Sequence, residues 1–272
     1  EKLTVFLCEV EEDRHFATLK AFRSYSYDSG YTWTPREPFG SFHERCNVRQ
    51  KTVRSDGAWL YPFCYTTPVE EGFTPDLPEA IRMRPDHDVW KRFYLGNRYR
   101  CGVLISHDKG ETFERYEVPC DREQHFLWEP SLVELSDGRL VMLIRHQYDG
   151  WLWRSESLDG GKTWSKAERT DIPDPAVKMR LFKLADGRIV LFCHPNSAVR
   201  YPLEMWVSSD DMATWHKKVN LQHLSPVREG TTVSQYHYPD GYVDEVGRKI
   251  AIAVDLNRRE LVMIEIPFEA LD

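Results

Sequence analysis

The sequence predicts an all-β fold built as a propeller of repeated four-stranded blades, and three observations carry that prediction. A motif of the form Ser-x-Asp-x-Gly-x-Thr-aromatic starts at Ser26, Ser106 and Ser157, and returns in altered form at Ser208, where Met212 takes the place of glycine. The last three copies start 51 residues apart, and the runs LSDGRLVML and LADGRIVLF, around Asp137 and Asp186, keep a similar interval of 49. Helical periodicity is nearly absent, whereas alternating apolar runs flank Asp-Gly pairs, which is a hairpin pattern. Units of about fifty residues with four short antiparallel strands are the sequence sign of propeller blades.

Five units follow one another, over residues 3–35, 47–115, 128–165, 178–217 and 234–268. Each reads as an alternating run, an Asp-Gly turn, two further runs and then the motif, which closes the turn into the fourth strand. Asp137-Gly138 and Asp186-Gly187 are expected as tight primed turns, because those require positive φ. The second unit is interrupted by TTPVEEGFTPDLPEAIRMRPDHDVWKRF, which reads as a long loop on one rim. The last unit ends on a strand, KIAIAVDLNRRELVMIEIP, expected to pair within the first or last blade and so blunt a sheet edge. Four copies are too many for one active site, so the motif is read as scaffold. Its short polar side chains bond turn backbone, Gly30, Gly110 and Gly161 take positive φ, and the aromatic ring packs between sheets. Met212 should leave its turn strained or differently wound.

Composition narrows the partners. A net charge of −7 gives no basic face for nucleic acid. No apolar run approaches the roughly 20 residues that cross a bilayer, so no membrane partner is expected. The six cysteines show neither a C-x-x-C pair nor zinc-like spacing, and are expected as free buried thiols. No phosphate loop, nucleotide motif or Ser-His-Asp order occurs, and no cofactor or metal is expected. The chain opens at Glu1 without Met, so its start specifies no compartment.

Topology sorts the chemistry. Counting outward from the Asp137-Gly138 turn sets Glu129, at the start of one strand, beside Arg145, at the end of the next. Arg200 precedes the third strand of the fourth unit, Tyr238 opens the first strand of the last, and Glu9 closes the second strand of the first. All five then meet at one rim, opposite the repeated motifs. His125 and His194 approach the same rim and are expected substrate contacts, while His43 and His87 complete a scattered histidine set. Plainer readings stand beside these: a hairpin salt bridge for Glu129 and Arg145, a solvated loop cation for Arg200, interblade packing for Tyr238, an acidic surface stretch for Glu9, and structural roles for the histidines.

The motifs, together with WEPSLVELSDGRLVMLIR, RYPLEMWVSSDD and YPDGYVDE…RRELVMIEI, resemble the sialidase superfamily of six-bladed propellers with BNR/Asp-box repeats. The resemblance implies a sialidase-type β-propeller over residues 1–272, read as one domain with five units visible, and leaves open an absent N-terminal segment. It implies that Arg145 and Arg200 match the second and third arginines of a substrate-carboxylate triad, Tyr238 the nucleophile and Glu129 the residue that activates it. The first triad arginine would lie upstream of the first motif, before this chain begins, and Glu9 stands where the family carries an aspartate acid/base. Arginine forks bind a sugar carboxylate bidentately, and a phenol escapes the repulsion that a carboxylate nucleophile would meet there. A glycan or small acidic sugar is therefore the expected partner. Two alternatives remain open: a uronate lyase resembling the ulvan-lyase propellers, with His125 or Tyr238 abstracting a proton, and a glycan-binding propeller without catalysis.

Overall fold

Alternating apolar positions give strands that pair only antiparallel within sheets, and successive sheets then bury their faces against one another. The computed structural model describes residues 2–8, 21–39, 46–49, 51–68, 97–120, 126–147, 149–224 and 235–272. Five sheets follow in chain order. The first holds β1 (Leu3–Cys8), β2 (Ala21–Ser26) and β3 (Glu37–Pro38). The second holds β4 (Cys46–Val48), β5 (Thr52–Val53), β6 (Trp59–Pro68), β7 (Asn97–Ser106) and β8 (Glu114–Glu117). The third holds β9 (Leu127–Glu134), β10 (Leu140–His146), β11 (Trp151–Ser157) and β12 (Glu168–Pro173). The fourth holds β13 (Arg180–Lys183), β14 (Ile189–Cys193), β15 (Glu204–Ser208) and β16 (Lys217–Asn220). The fifth holds β17 (Tyr236–Asp244), β18 (Lys249–Leu256) and β19 (Glu260–Pro267). This is the expected all-β propeller with five blades, but the fourth strands lie after the expected ends: β3 falls beyond residue 35, β12 beyond 165, and β8 and β16 run past 115 and 217, because the motif closes the turn into them.

Between each pair of sheets lies one apolar layer. Tyr61, Phe63 and Leu104 meet Ala21 and Phe39 between the first two sheets, and Leu60, Val103 and Ile105 meet Leu132, Leu140 and Met142 between the next two. Val141 and Leu143 meet Leu191 and Trp206, and Phe192 and Val207 meet Ile250 and Ile252. Trp164, Trp215 and Phe113 each join the layer in front of their own sheet, as the motif reading requires. Trp33 is the exception: no described sheet covers that face of the first blade, and the ring stays exposed.

The repeated motif forms the same knot four times. In the third blade the Ser157 hydroxyl donates to Asp159 Oδ1 at 2.8 Å and accepts from the Gly161 amide at 2.8 Å. Asp159 also accepts from the Thr163 amide and hydroxyl, at 2.8 and 2.7 Å. These donors hold the Asp159 carboxyl down at about 2, chiefly through Thr163. The fourth copy keeps this winding despite its missing glycine: the Met212 amide donates to Ser208 Oγ at 2.9 Å, with Asp211 and Met212 both left-handed at φ 56° and 66°. The expected strain is present, the different winding is not, and burial of the Met212 side chain offsets part of that strain.

Two local expectations are corrected. The Asp-Gly hairpins are three-residue loops with one left-handed glycine, not primed turns. The Gly138 amide donates to the Leu135 carbonyl and the Leu135 amide to the Arg139 carbonyl, while only Gly138 in that loop has positive φ. The extra residue satisfies the ladder beyond the turn, and Gly187 and Gly57 repeat the arrangement. In the second blade, Thr66 to Pro68 belong to β6, paired through Pro68 and Asn97, and are not loop; residues 69–96 lie outside the described residues. The terminal strand β19 pairs with β18 of its own blade.

Glycine requirements differ by place. A β-carbon at Gly138 would meet nothing within 4 Å, whereas one at Gly161 would press on Ile105 Cδ1 at 3.1 Å and Leu140 Cδ1 at 3.2 Å. Gly138→Ala should cost about 1 kcal/mol through backbone strain alone, and Gly161→Ala about 1–3 kcal/mol more through overpacking. Urea unfolding midpoints of the two variants check that order.

Candidate active site

The polar groups of the mouth owe their place to breaks in the innermost strands. In the third blade the β9–β10 register shifts between Leu143 and Arg145, and Glu129 at the bulge has φ 44°. In the fifth the β17–β18 register shifts between His237 and Asp240, and Tyr238 has φ 52°. The second blade splits its inner strand into β4 and β5, with Arg49 in the break and its amide on the Pro62 carbonyl at 2.6 Å. In the fourth, Ala176 at φ 54° precedes Lys178 and β13. Left-handed bulges turn side chains out of the pleat alternation, and they concentrate at functional mouths. Tyr238 therefore sits at a bulge inside β17 and does not open that strand.

Glu129 and Arg145 form a buried pair, with Arg145 Nη1 donating to Glu129 Oε2 at 2.5 Å. Burial alone would raise the Glu129 carboxyl, but Arg145, Arg49 and Lys178 outweigh it and hold the group below its ordinary value. Burial likewise opposes charge on Arg145, yet Glu129, Tyr238 and Asp174 together keep it above its ordinary value. Arg145 Nη2 donates to Gln147 Oε1 at 2.7 Å, and its Nε is a buried donor with no acceptor.

Arg200 closes on the same spot. Its Nη2 donates to the Ala176 carbonyl at 2.8 Å, and its guanidinium carbon lies 5.6 Å from the centre of the Tyr238 ring. Nη1 is another buried donor left unsatisfied. Two orphan guanidinium donors beside one phenol are costly unless an anion answers them. Among the described residues Glu129 hydrogen-bonds Arg145, the Tyr238 ring lies beside the Arg200 guanidinium, and no Glu129–Tyr238 hydrogen bond is formed.

His194 is enclosed completely, with Nε2 2.6 Å from the Tyr236 carbonyl and a value pushed down to about 4, chiefly by burial. A ring with no exposed surface cannot meet a sugar, so the expected substrate contact at His194 is corrected to a support under β17. Glu9 and His125, with His43 and His87, lie outside the described residues.

Sequence reasoning missed Arg49, Asp174, Lys178, Arg180 and Asp240. Lys178 and Arg180 are buried and both reach Asp240, Arg180 Nε at 3.5 Å from Oδ1. Burial, then Arg49, pushes Lys178 down to about 8 against the pull of Asp240. A basic pair at i and i+2 in an inner strand, K-M-R at 178–180, was the available signal.

With the fold and this mouth in view, the class is a five-bladed all-β propeller of the sialidase type. The BNR repeat-like domain family matches residues 1–251, and the chain belongs to that family. It is similar in structure to a Hadza microbial sialidase, with a TM-score of 0.67 and 14% identity over 100% of this chain and 51% of that one. It is similar also to the intramolecular trans-sialidase of Ruminococcus gnavus, solved with oseltamivir carboxylate, with a TM-score of 0.63 and 16% identity over 93% of this chain and 51% of that one. The NanB sialidase of Streptococcus pneumoniae gives a TM-score of 0.63 and 17% identity over 93% of this chain and 36% of that one. At these identities the likeness is one of fold, and the chain spans about half the length of the first two structures or less of the third. No curated protein sequence matches it significantly.

Asp174 gives the mouth a measurable pH signature. Burial lifts its carboxyl to about 7 even though Arg145, the Val177 amide and Arg200 pull the other way. Because the folded value exceeds the unfolded one, the neutral form favours the fold: its contribution is complete below about pH 4 and is lost as pH rises through about 7. Asp174→Asn should therefore flatten the fall in melting temperature between pH 5 and pH 8 seen in the parent protein. Equal slopes in the two proteins would refute the assignment.

Proposed function

We propose that this chain is a sialidase-like glycoside hydrolase acting on a sugar that bears a carboxylate at or beside its anomeric carbon. The observation that carries the reading is the meeting of Arg145, Arg200 and Tyr238 at one mouth, with unsatisfied guanidinium donors on both arginines. In this reading Arg145 and Arg200 take the substrate carboxylate, and their charge draws an anionic ring into place. Tyr238 oxygen attacks the anomeric carbon as its proton passes to Glu129, and Glu9 protonates the departing glycosidic oxygen. Water then attacks the anomeric carbon, giving its proton to Glu9, and the tyrosine oxygen leaves and takes back its proton from Glu129. The Arg145 pair keeps Glu129 ionised and so ready to accept a proton.

One observation favours the binding-only alternative: Glu129 is bonded to Arg145, with no hydrogen bond to Tyr238. A glycan array with binding but no turnover would select that alternative.

Fluorogenic sialosides and other acidic glycosides test the hydrolase. Tyr238→Phe should lower kcat about a thousandfold or more with KM little changed, whereas Arg200→Gln should raise KM about tenfold to a hundredfold. Equal product release from the parent protein and Tyr238→Phe would overturn the mechanism.

A further inference from the structure

The cations of the mouth outnumber what one carboxylate can answer. Among the described residues, Arg49, Arg145, Lys178, Arg180 and Arg200 converge there against the ionised carboxylates Glu129 and Asp240 and against Asp174, whose carboxyl burial lifts to about 7. Glu129 is bonded to Arg145, and a sugar carboxylate would occupy the remaining donors of Arg145 and Arg200. Among the described residues, three cations are then left to Asp240. Arg49, half-buried, makes no side-chain hydrogen bond or ion pair among the described residues, yet its charge depresses Lys178 and Arg180 and acts on Asp240. Arg180 Nε makes no hydrogen bond, with Asp240 Oδ1 3.5 Å away, and Arg180 lines a cavity of about 630 Å³ along the inner strands that Lys51, Lys183, Glu134 and Glu245 also line. Buried like charges with one shared counterion are unfavourable unless a further anion completes them.

We propose that Arg49, Lys178 and Arg180 form a second anion subsite, deeper along the axis than Arg145 and Arg200, for a compact oxyanion carried by the same sugar chain. A sulfate or phosphate ester has that chemistry: several acceptor oxygens for one ammonium and two guanidinium groups, and more charge than Asp240 leaves unanswered. The assignment of the oxyanion to a sugar rests on the proposed hydrolase reading; the anion site itself does not.

Calorimetric titration of the whole chain with sodium sulfate, and separately sodium phosphate, tests it, with sodium chloride at matched ionic strength as the blank. Arg49→Gln removes no side-chain bond, and should weaken binding of the preferred anion about tenfold while the melting temperature holds. Arg49→Lys, which keeps the charge, should restore most of that affinity. Arg200→Gln should change it by no more than about twofold, as a more distant, screened charge would. Binding no stronger than chloride, or binding lost in Arg200→Gln and kept in Arg49→Gln, would overturn the subsite. Turnover without sulfate or phosphate binding would remove the subsite alone, and anion binding without turnover would remove the hydrolase alone.

Discussion

Everything at the mouth depends on the inner strands leaving their ladders at one height. An unbroken β9 would alternate its side chains between the two interblade layers, and Glu129 would enter an apolar core. The bulge turns it toward the axis instead, at a conformational cost of about 1–3 kcal/mol for each left-handed residue that is not glycine. Glu129 and Tyr238 share this geometry on two different blades. The surrounding layers, apolar and closely packed, are what hold such strain in place.

The charges are a consequence of that geometry. Once Glu129 is turned inward it is buried, and a buried carboxylate needs a partner, which Arg145 supplies from the adjacent strand. Removing either member would leave the other uncompensated, at about 3–5 kcal/mol. Among the described residues, Arg200 and Arg49 have no such carboxylate, and Lys178 and Arg180 share Asp240. They make the mouth a positive site on a chain whose overall charge is −7, which is the pattern of local focusing, not of a generally basic protein.

The scaffold was highly legible. Motif spacing marked the turn before the last strand in each of the first four blades, because Ser, Asp, Gly and Thr in that order encode a complete local hydrogen-bond set. Strand counting from the Asp137-Gly138 turn also brought Glu129 beside Arg145, since a hairpin converts sequence separation into distance directly. Beyond the hairpin, counting lost its power. It brought His194 toward the mouth but could not tell that β17 seals it, and it passed over Asp174, whose position depends on the Gly150 carbonyl and the Val177 amide.

What the sequence determined by itself is whatever depends on contacts a few residues apart: the strands, the Asp-Gly loops, the four knots and the order of the blades. What only the tertiary structure decided is which side chains from different blades share one space, and in what state of charge. Arg49 and Lys178 lie more than a hundred residues apart, yet one depresses the other. Coulomb forces act across space without regard to chain distance, and burial, which sets their strength, exists only after the sheets have packed.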